Sequence, residues 1–303
     1  MTRILDLRNH FDTVPFVQIS VVIPTIGKRD QYLQETLKSV HSQTLQPCEI
    51  IIVNNGAQLI EIESQFEAIG IPIQNIKTVT GAGVSQARNL GATIAKGQLV
   101  AFLDDDDLWD KDFLRYAVQE LKSSQARCVL GRIDKMVNGE ITPLFDATGH
   151  LDSYSFTLMN PGATGSNVLI YRDTFLMTGG YDFKLPPTED GALILSLIDA
   201  GHKVSVCSNA QAIMRMHSGV RLTNPKSAAI GFKAFYLKYG NRLGIRDKFF
   251  LIWKFRREEY RDMHSPKTLF PYLVFSFLII IFNRRPRHYW KPLTMLRNTG
   301  DVR

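Results

Sequence analysis

Continuous apolar runs and helix-spaced apolar positions take turns along the first 125 residues. Residues 18–24 (QISVVIP) form an apolar run closed by proline, which predicts a strand buried on both faces. Residues 31–42 then bring Leu33, Leu37 and Val40 to one side of a helix. EIIIVN (49–54) predicts a second buried strand, 58–69 a helix, and 76–80 a short third strand broken at Gly81-Ala-Gly83. Residues 85–96 predict a helix stopped by Gly97, and 99–103 a fourth strand. Strands of this kind with helices between them imply a parallel sheet covered on both faces. Ligands of such open sheets bind beyond the carboxyl ends of the strands, which is where Asn54, Asn55 and the run Asp104–Asp107 fall.

Beyond residue 125 the alternation loosens. Residues 126–133, 140–145, 167–171 and 211–216 predict strands, and 173–179 and 189–200 helices, a mixed pattern that completes the same domain. From about residue 226 the composition changes to basic and aromatic, with a helical reading over 226–262. The boundaries expected are therefore 1–225 for the main domain and 226–303 for a basic, apolar helical region. Residues 269–282 are 14 uncharged, mostly apolar residues, short of the roughly 20 that span a bilayer. Lys267 precedes them, and Arg284, Arg285, Arg287, Tyr289 and Trp290 follow. This pattern predicts an interfacial or re-entrant membrane segment, the alternative being a helix packed on the domain.

Charge sharpens the contrast. Residues 231–303 carry 16 Lys+Arg against 5 Asp+Glu, a net of +11, whereas the preceding 230 residues carry 20 against 24, a net of −4. A basic tail on a mildly acidic body suits an anionic surface. Basic charge in a nucleic-acid binder should line the folded domain, so the membrane is the expected partner and no nucleic acid is expected. The three cysteines are scattered, which excludes a disulfide framework and points to a reducing compartment. The first twenty residues hold no continuous apolar segment, so no secretory signal is expected.

Four adjacent carboxylates repel one another unless something positive joins them. Asp104–Asp107 follow an apolar strand, and hard divalent cations such as Mn²⁺ or Mg²⁺ take one or two carboxylates together with phosphate oxygens. Side chains alternate along an extended chain, so Asp104 and Asp106 share one direction and Asp105 and Asp107 the other. Asp107 or Asp110 also suits the cap of a helix beginning near Lys111, and Thr188-Glu189-Asp190 reads equally as a helix start.

Five stretches occur in order: Ile19-Ser-Val-Val-Ile-Pro-Thr25, IIIVNNGA (50–57), GVSQARNLGATIAKGQLVAFLDDDD (83–107), GGYD (179–182) and TED (188–190). Together they resemble the family 2 glycosyltransferases of bacterial surface-polysaccharide assembly, over roughly residues 18–220. The resemblance implies a GT-A fold: an α/β domain with a mixed, mostly parallel sheet flanked by helices, here with a membrane-associating helical extension. It implies that Pro24 and Thr25 touch the nucleoside and that Arg88 and Asn89 lie near the nucleotide and orient the aspartates. Asp104 and Asp105 belong to the ribose-diphosphate contact. Asp104, Asp106 and Asp107 are the metal ligands, Asp106 foremost. His217 is a further metal or diphosphate contact, and Arg221 holds the diphosphate. Asp190 is the base that takes the acceptor's proton, and Glu189 orients it or contacts the acceptor. Gly162–Ser166 and Gly179-Gly180 shape the backbone near donor and acceptor, and Phe232, Tyr236, Tyr239 and Trp253 either guide a lipid diphosphate or pack.

Asn54-Asn55 departs from the acidic pair common at this place in the family. Asparagine keeps an acceptor for a uracil N–H, so a UDP-sugar is favoured, while guanine and thymine nucleotides stay open. The resemblance further implies inverting transfer of a hexose or N-acetylhexosamine, UDP-glucose for instance, to a hydroxyl of a lipid-linked saccharide in O-antigen or capsule assembly. The product would be β-linked, and the enzyme peripheral at the cytoplasmic face of the inner membrane. A nucleotidyltransferase would want a glycine-rich loop after the first strand, and residues 25–29 (TIGKR) hold one glycine. A dinucleotide oxidoreductase would want G-x-G-x-x-G there, which is missing.

Overall fold

A computed structural model of the chain describes residues 17–28, 30–57, 60, 70–145, 151–217 and 224–282. The expected helix at 58–69, Arg221, the basic cluster at 284–287, Tyr289 and Trp290 lie outside the described residues, residue 60 excepted.

Three strands run side by side at the centre, β1 (Ile19–Thr25), β2 (Glu49–Asn54) and β4 (Leu99–Phe102), and each is buried along its whole length. With β3 (Ile73–Lys77) they form a parallel array in the order β3–β2–β1–β4. The sheet continues through β8 (Val168–Tyr171), β6 (Cys128–Val137), β9 (Val204–Arg215) and the two-residue β5 (Leu108–Trp109), with β7 (Glu140–Phe145) paired to β6. The expectation of a mostly parallel sheet therefore holds for the first half only. Beyond β4 the pairs β4–β8, β6–β8, β6–β7 and β5–β9 are antiparallel, and only β6–β9 is parallel. One cause is local: Asn138 and Gly139 take φ of 50° and 85°, a two-residue turn that folds β7 back on β6.

Helices cover both faces. On one side α1 (Asp30–His41) buries Leu33, Leu37 and Val40 against Ile19, Val21 and Ile23 of β1, as the spacing predicted, and α3 (Phe113–Ser123) adds Phe113, Leu114 and Leu121. On the other side α2 (Val84–Ile94) lies so close to β1 that a Cβ at Gly91 would overlap Val22. The short α4 (Ser153–Leu158) and α5 (Arg172–Met177) and the apolar α6 (Glu189–Asp199) complete this layer. Each fully buried Ile, Leu or Val contributes about 1.5–3 kcal/mol, which makes this two-sided core a rigid support for the loops at the strand ends.

The C-terminal helices are α7 (Pro225–Tyr239), α8 (Ile245–Met263) and α9 (Pro266–Phe282). α7 is part of the main core, because Phe235 and Tyr239 pack with Leu193, Leu197 and Phe156. Tyr236 packs against a separate cluster with Leu158, Phe250 and Ile279, and Trp253 donates from Nε1 to Ser276 Oγ at 3.1 Å, so both are half-buried and take part in packing. Gly231 meets the Pro186 carbonyl directly, and a Cβ there would overlap it. Gly231→Ala should therefore displace the Pro186–Thr188 segment that leads into Glu189 and Asp190. The expected cost is about 1–3 kcal/mol of stability with a fall in turnover, measured by thermal unfolding and by initial rates.

Candidate active site

The site begins where β1 and β2 end. The Asn55 N–H donates to Thr25 O at 2.9 Å, and Gly56 sits against the Ile26 carbonyl so closely that only glycine fits. Asn54 Oδ1 accepts the Gly56 N–H at 2.8 Å, so Asn54 shapes the turn. Asn55 is buried, and its Oδ1 has no hydrogen-bond partner among the described residues. A buried acceptor left unpaired costs free energy that an incoming N–H would recover. Pro24 and Thr25 close β1 beside it, and Thr25 Oγ1 accepts the Gly27 N–H at 3.0 Å.

The acidic run follows β4 and, instead of staying extended, enters a turn closed by the Asp107 N–H donating to Asp104 O at 3.2 Å. Asp104 and Asp106 are partly exposed, and Asp105 and Asp107 are buried. Asp107 turns inward: its Oδ2 accepts from Ser166 Oγ at 2.6 Å and its Oδ1 from the Arg215 N–H at 3.0 Å. Burial, followed by Asp106 and Asp104, pushes its pKa well above the ordinary carboxylate range. Asp107 thus anchors the loop through both of its oxygens. It is not a helix cap. Asp106 accepts at Oδ2 from His217 Nε2, 2.8 Å away, so the expected pair does converge. The His217 ring lies 5.3 Å from that of Tyr32.

Arg88 is the hub. It is buried on α2, and its Nη2 donates to Asp104 Oδ1 at 2.5 Å. Its Nη1 lies 3.4 Å from Asp190 Oδ1 and 3.9 Å from Glu189 Oε1. The guanidinium also stands 5.0 Å from the Tyr181 ring centroid. Gly165 leaves the room it needs, since a Cβ there would overlap Nη2. Burial opposes the Arg88 charge, yet Asp104 and Asp190 outweigh it and hold its pKa above the ordinary value. Burial likewise pushes Asp190 up to about 8, against the pull of Arg88 and with added push from Glu189 and Asp104. Glu189 is raised by burial as well, and its Oε2 has no hydrogen-bond partner among the described residues. Two carboxylates with raised pKa values at a strand-end rim match the pattern of an acid–base site.

Asn89 braces the neighbouring loop. Its Nδ2 donates to Tyr181 O at 2.8 Å and its Oδ1 accepts the Tyr181 N–H at 2.9 Å. Both amide atoms thereby help hold the GGYD loop beside Arg88. Sequence reasoning missed Arg215, whose Nε donates to Asp106 O at 3.1 Å and whose Nη2 donates to Glu35, tying the acidic loop to α1 and β9. Among the described residues no three His, Cys, Asp or Glu side chains form a metal cage. The Asp106–His217 pair, its side chains 16% and 8% exposed, offers two donors of the kind that hold a cation together with phosphate oxygens and water.

The chain matches the model for "Glycosyl transferase family 2" over residues 20–174. Among curated proteins it is 30% identical over 115 residues to the glycosyltransferase GlyG of Streptococcus pneumoniae serotype 4, covering 37% of this chain and 38% of that one. It is 27% identical over 240 residues to the glucosyl-dolichyl phosphate glucuronosyltransferase of Haloferax volcanii, covering 72% of this chain and 70% of that one. The fold matches that of S. aureus TarS 1-349 in complex with UDP-GlcNAc, with a TM-score of 0.60 at 15% identity, covering 85% of this chain and 79% of that one.

Proposed function

The chain belongs to glycosyltransferase family 2, and on that footing we propose that it catalyses inverting transfer of a hexose or N-acetylhexosamine from a UDP-sugar to a hydroxyl of a lipid-linked saccharide. The product is β-linked and serves surface-polysaccharide assembly, O-antigen or capsule, at the cytoplasmic face of the inner membrane. One observation carries the reading: a single buried guanidinium joins Asp104, on the donor side, to Asp190, on the acceptor side. Donor and base groups that lie far apart in sequence meet at one rim.

In this reading the nucleoside lies against Pro24 and Thr25, and Asn55 Oδ1 accepts an N–H of the base. The UDP-GlcNAc held by S. aureus TarS supports a uridine donor, and the glucosyl-dolichyl phosphate of the Haloferax enzyme's name supports a lipid-linked acceptor. Asp190 takes the proton from the acceptor hydroxyl as its oxygen attacks the anomeric carbon on the face opposite the diphosphate. The C–O bond to the nucleotide breaks as the new one forms, which inverts the centre. Glu189, seated between Arg88 and the start of α6, steers the acceptor. Asp106 and His217, with Asp104 beside them, would hold Mn²⁺ or Mg²⁺, which supplies positive charge against the leaving diphosphate. Arg221 is proposed to contact the diphosphate.

Isothermal calorimetry with a panel of nucleotide-sugars, with and without Mn²⁺, tests the donor and cation together. A UDP-sugar should bind at least tenfold more tightly with the cation, and Asp106→Ala should erase that difference while circular dichroism stays unchanged. Cation-independent binding, or full cation dependence in the variant, would refute the assignment.

A further inference from the structure

Among the described residues, nine of the sixteen large apolar side chains that stand exposed lie in the C-terminal helices, and five of them line one helix. On α9, Phe270, Leu273, Val274, Phe277 and Ile281 are exposed, Phe270 by 72% and Phe277 by 62%. At 100° per residue they share one side, and Lys267, also exposed, continues the same line by one turn. The opposite side packs on α8 and on the end of α4. Tyr272 stacks on Tyr260 at 5.5 Å, Phe275 meets Phe249 at 6.0 Å, Ser276 accepts from Trp253, and Ile279 is buried beside Leu251 and Leu158. The helix is thus fixed by one face and presents the other, over roughly 17 Å between Phe270 and Ile281.

We propose that this exposed face docks in the plane of an anionic bilayer, with the aromatic and aliphatic side chains entering the headgroup–acyl boundary. Charge selects this occupant. The face lies in the stretch of net charge +11, with Lys267 before it and Arg284, Arg285 and Arg287 after it in sequence. Such a surface attracts anionic lipid and repels a second copy of itself. No helix among the described residues is long and apolar enough to cross a membrane. Through Ile279 and Leu158 the docked helix abuts the segment that leads to Asn160 and Gly162–Ser166 at the site rim. A lipid-borne acceptor would therefore reach the site from a surface the enzyme already touches. This last point rests on the proposed function; the docking itself does not.

Flotation of the full-length chain with vesicles of phosphatidylcholine alone, or mixed with phosphatidylglycerol, reads the docking without any turnover. The chain should float with the mixed vesicles and be released by alkaline carbonate. The double variant Phe270→Ser with Phe277→Ser should bind about tenfold less or weaker still, with unchanged circular dichroism and unchanged UDP-sugar binding. Lys267→Glu, which leaves the packed face untouched, should weaken binding to the mixed vesicles alone. Equal flotation of the double variant, or no flotation of the native chain, would overturn the proposal. So would a lipid-free dimer that the double variant dissociates, or retention after carbonate, which would mean a self-association face or an inserted segment.

Discussion

Asp190→Asn is expected to cut turnover by roughly 10²- to 10⁴-fold, the usual worth of a positioned general base, while the UDP-sugar still binds. The amide keeps the shape and the contact with Arg88 but cannot take a proton. The native enzyme adds a pH signature. Burial raises Asp190 to about 8, so kcat/KM for the acceptor should climb with pH through neutrality and level off above that value. In Asp190→Asn that slope should vanish. Linkage gives the opposite trend for stability. An unfolded aspartate titrates near 4, so between about 4 and about 8 the folded state holds the proton more tightly. The stability this group contributes is complete below that window and lost as pH rises through it. Rates that fall as pH approaches 8, or a slope unchanged in the variant, would remove Asp190 from the role.

Arg88→Met is the second large effect. It strips the shared cation from Asp104, Glu189 and Asp190 in a buried setting, and breaking such an arrangement costs on the order of 3–5 kcal/mol. Thermal unfolding should register the loss. It should also move the acceptor pH profile to higher values, because Arg88 is the group that pulls Asp190 down. Arg88→Lys should restore part of the stability and little of the activity, since an ammonium lacks the fork that reaches Asp104 with one nitrogen and Asp190 with the other. A profile that stays in place in Arg88→Met would show that the contact is structural only.

The parts legible in the sequence are those where one physical demand dominates. β1, β2 and β4 are buried on both faces and so read as unbroken apolar runs at their true places. β3 lies at the sheet edge, half exposed, and its polar Gln74 and Asn75 hid its start, so the structure sets it at Ile73–Lys77 rather than 76–80. β9 runs twelve residues from Val204, yet only its end was legible, because Ser205, Ser208 and Asn209 interrupt the apolar pattern along its first half. Short α4 and β5 carry too few residues for any period to register. In the site, the carboxylates and Arg88 were visible through their motif, but the turn at Asp104–Asp107 was not, since the alternation expected there assumed an extended chain. The Glu35–Arg215 tie was invisible because its partners stand 180 residues apart, and nothing local marks either one.

The shared guanidinium also bears on kinetics. Asp104 is among the groups that keep a proton on Asp190. Positive charge delivered to Asp104 with the sugar nucleotide would release Arg88 toward Asp190 and arm it, so an empty enzyme holds its base in reserve. Saturating donor should therefore lower the pH at which the acceptor rate levels off, and a profile independent of donor concentration would refute the coupling.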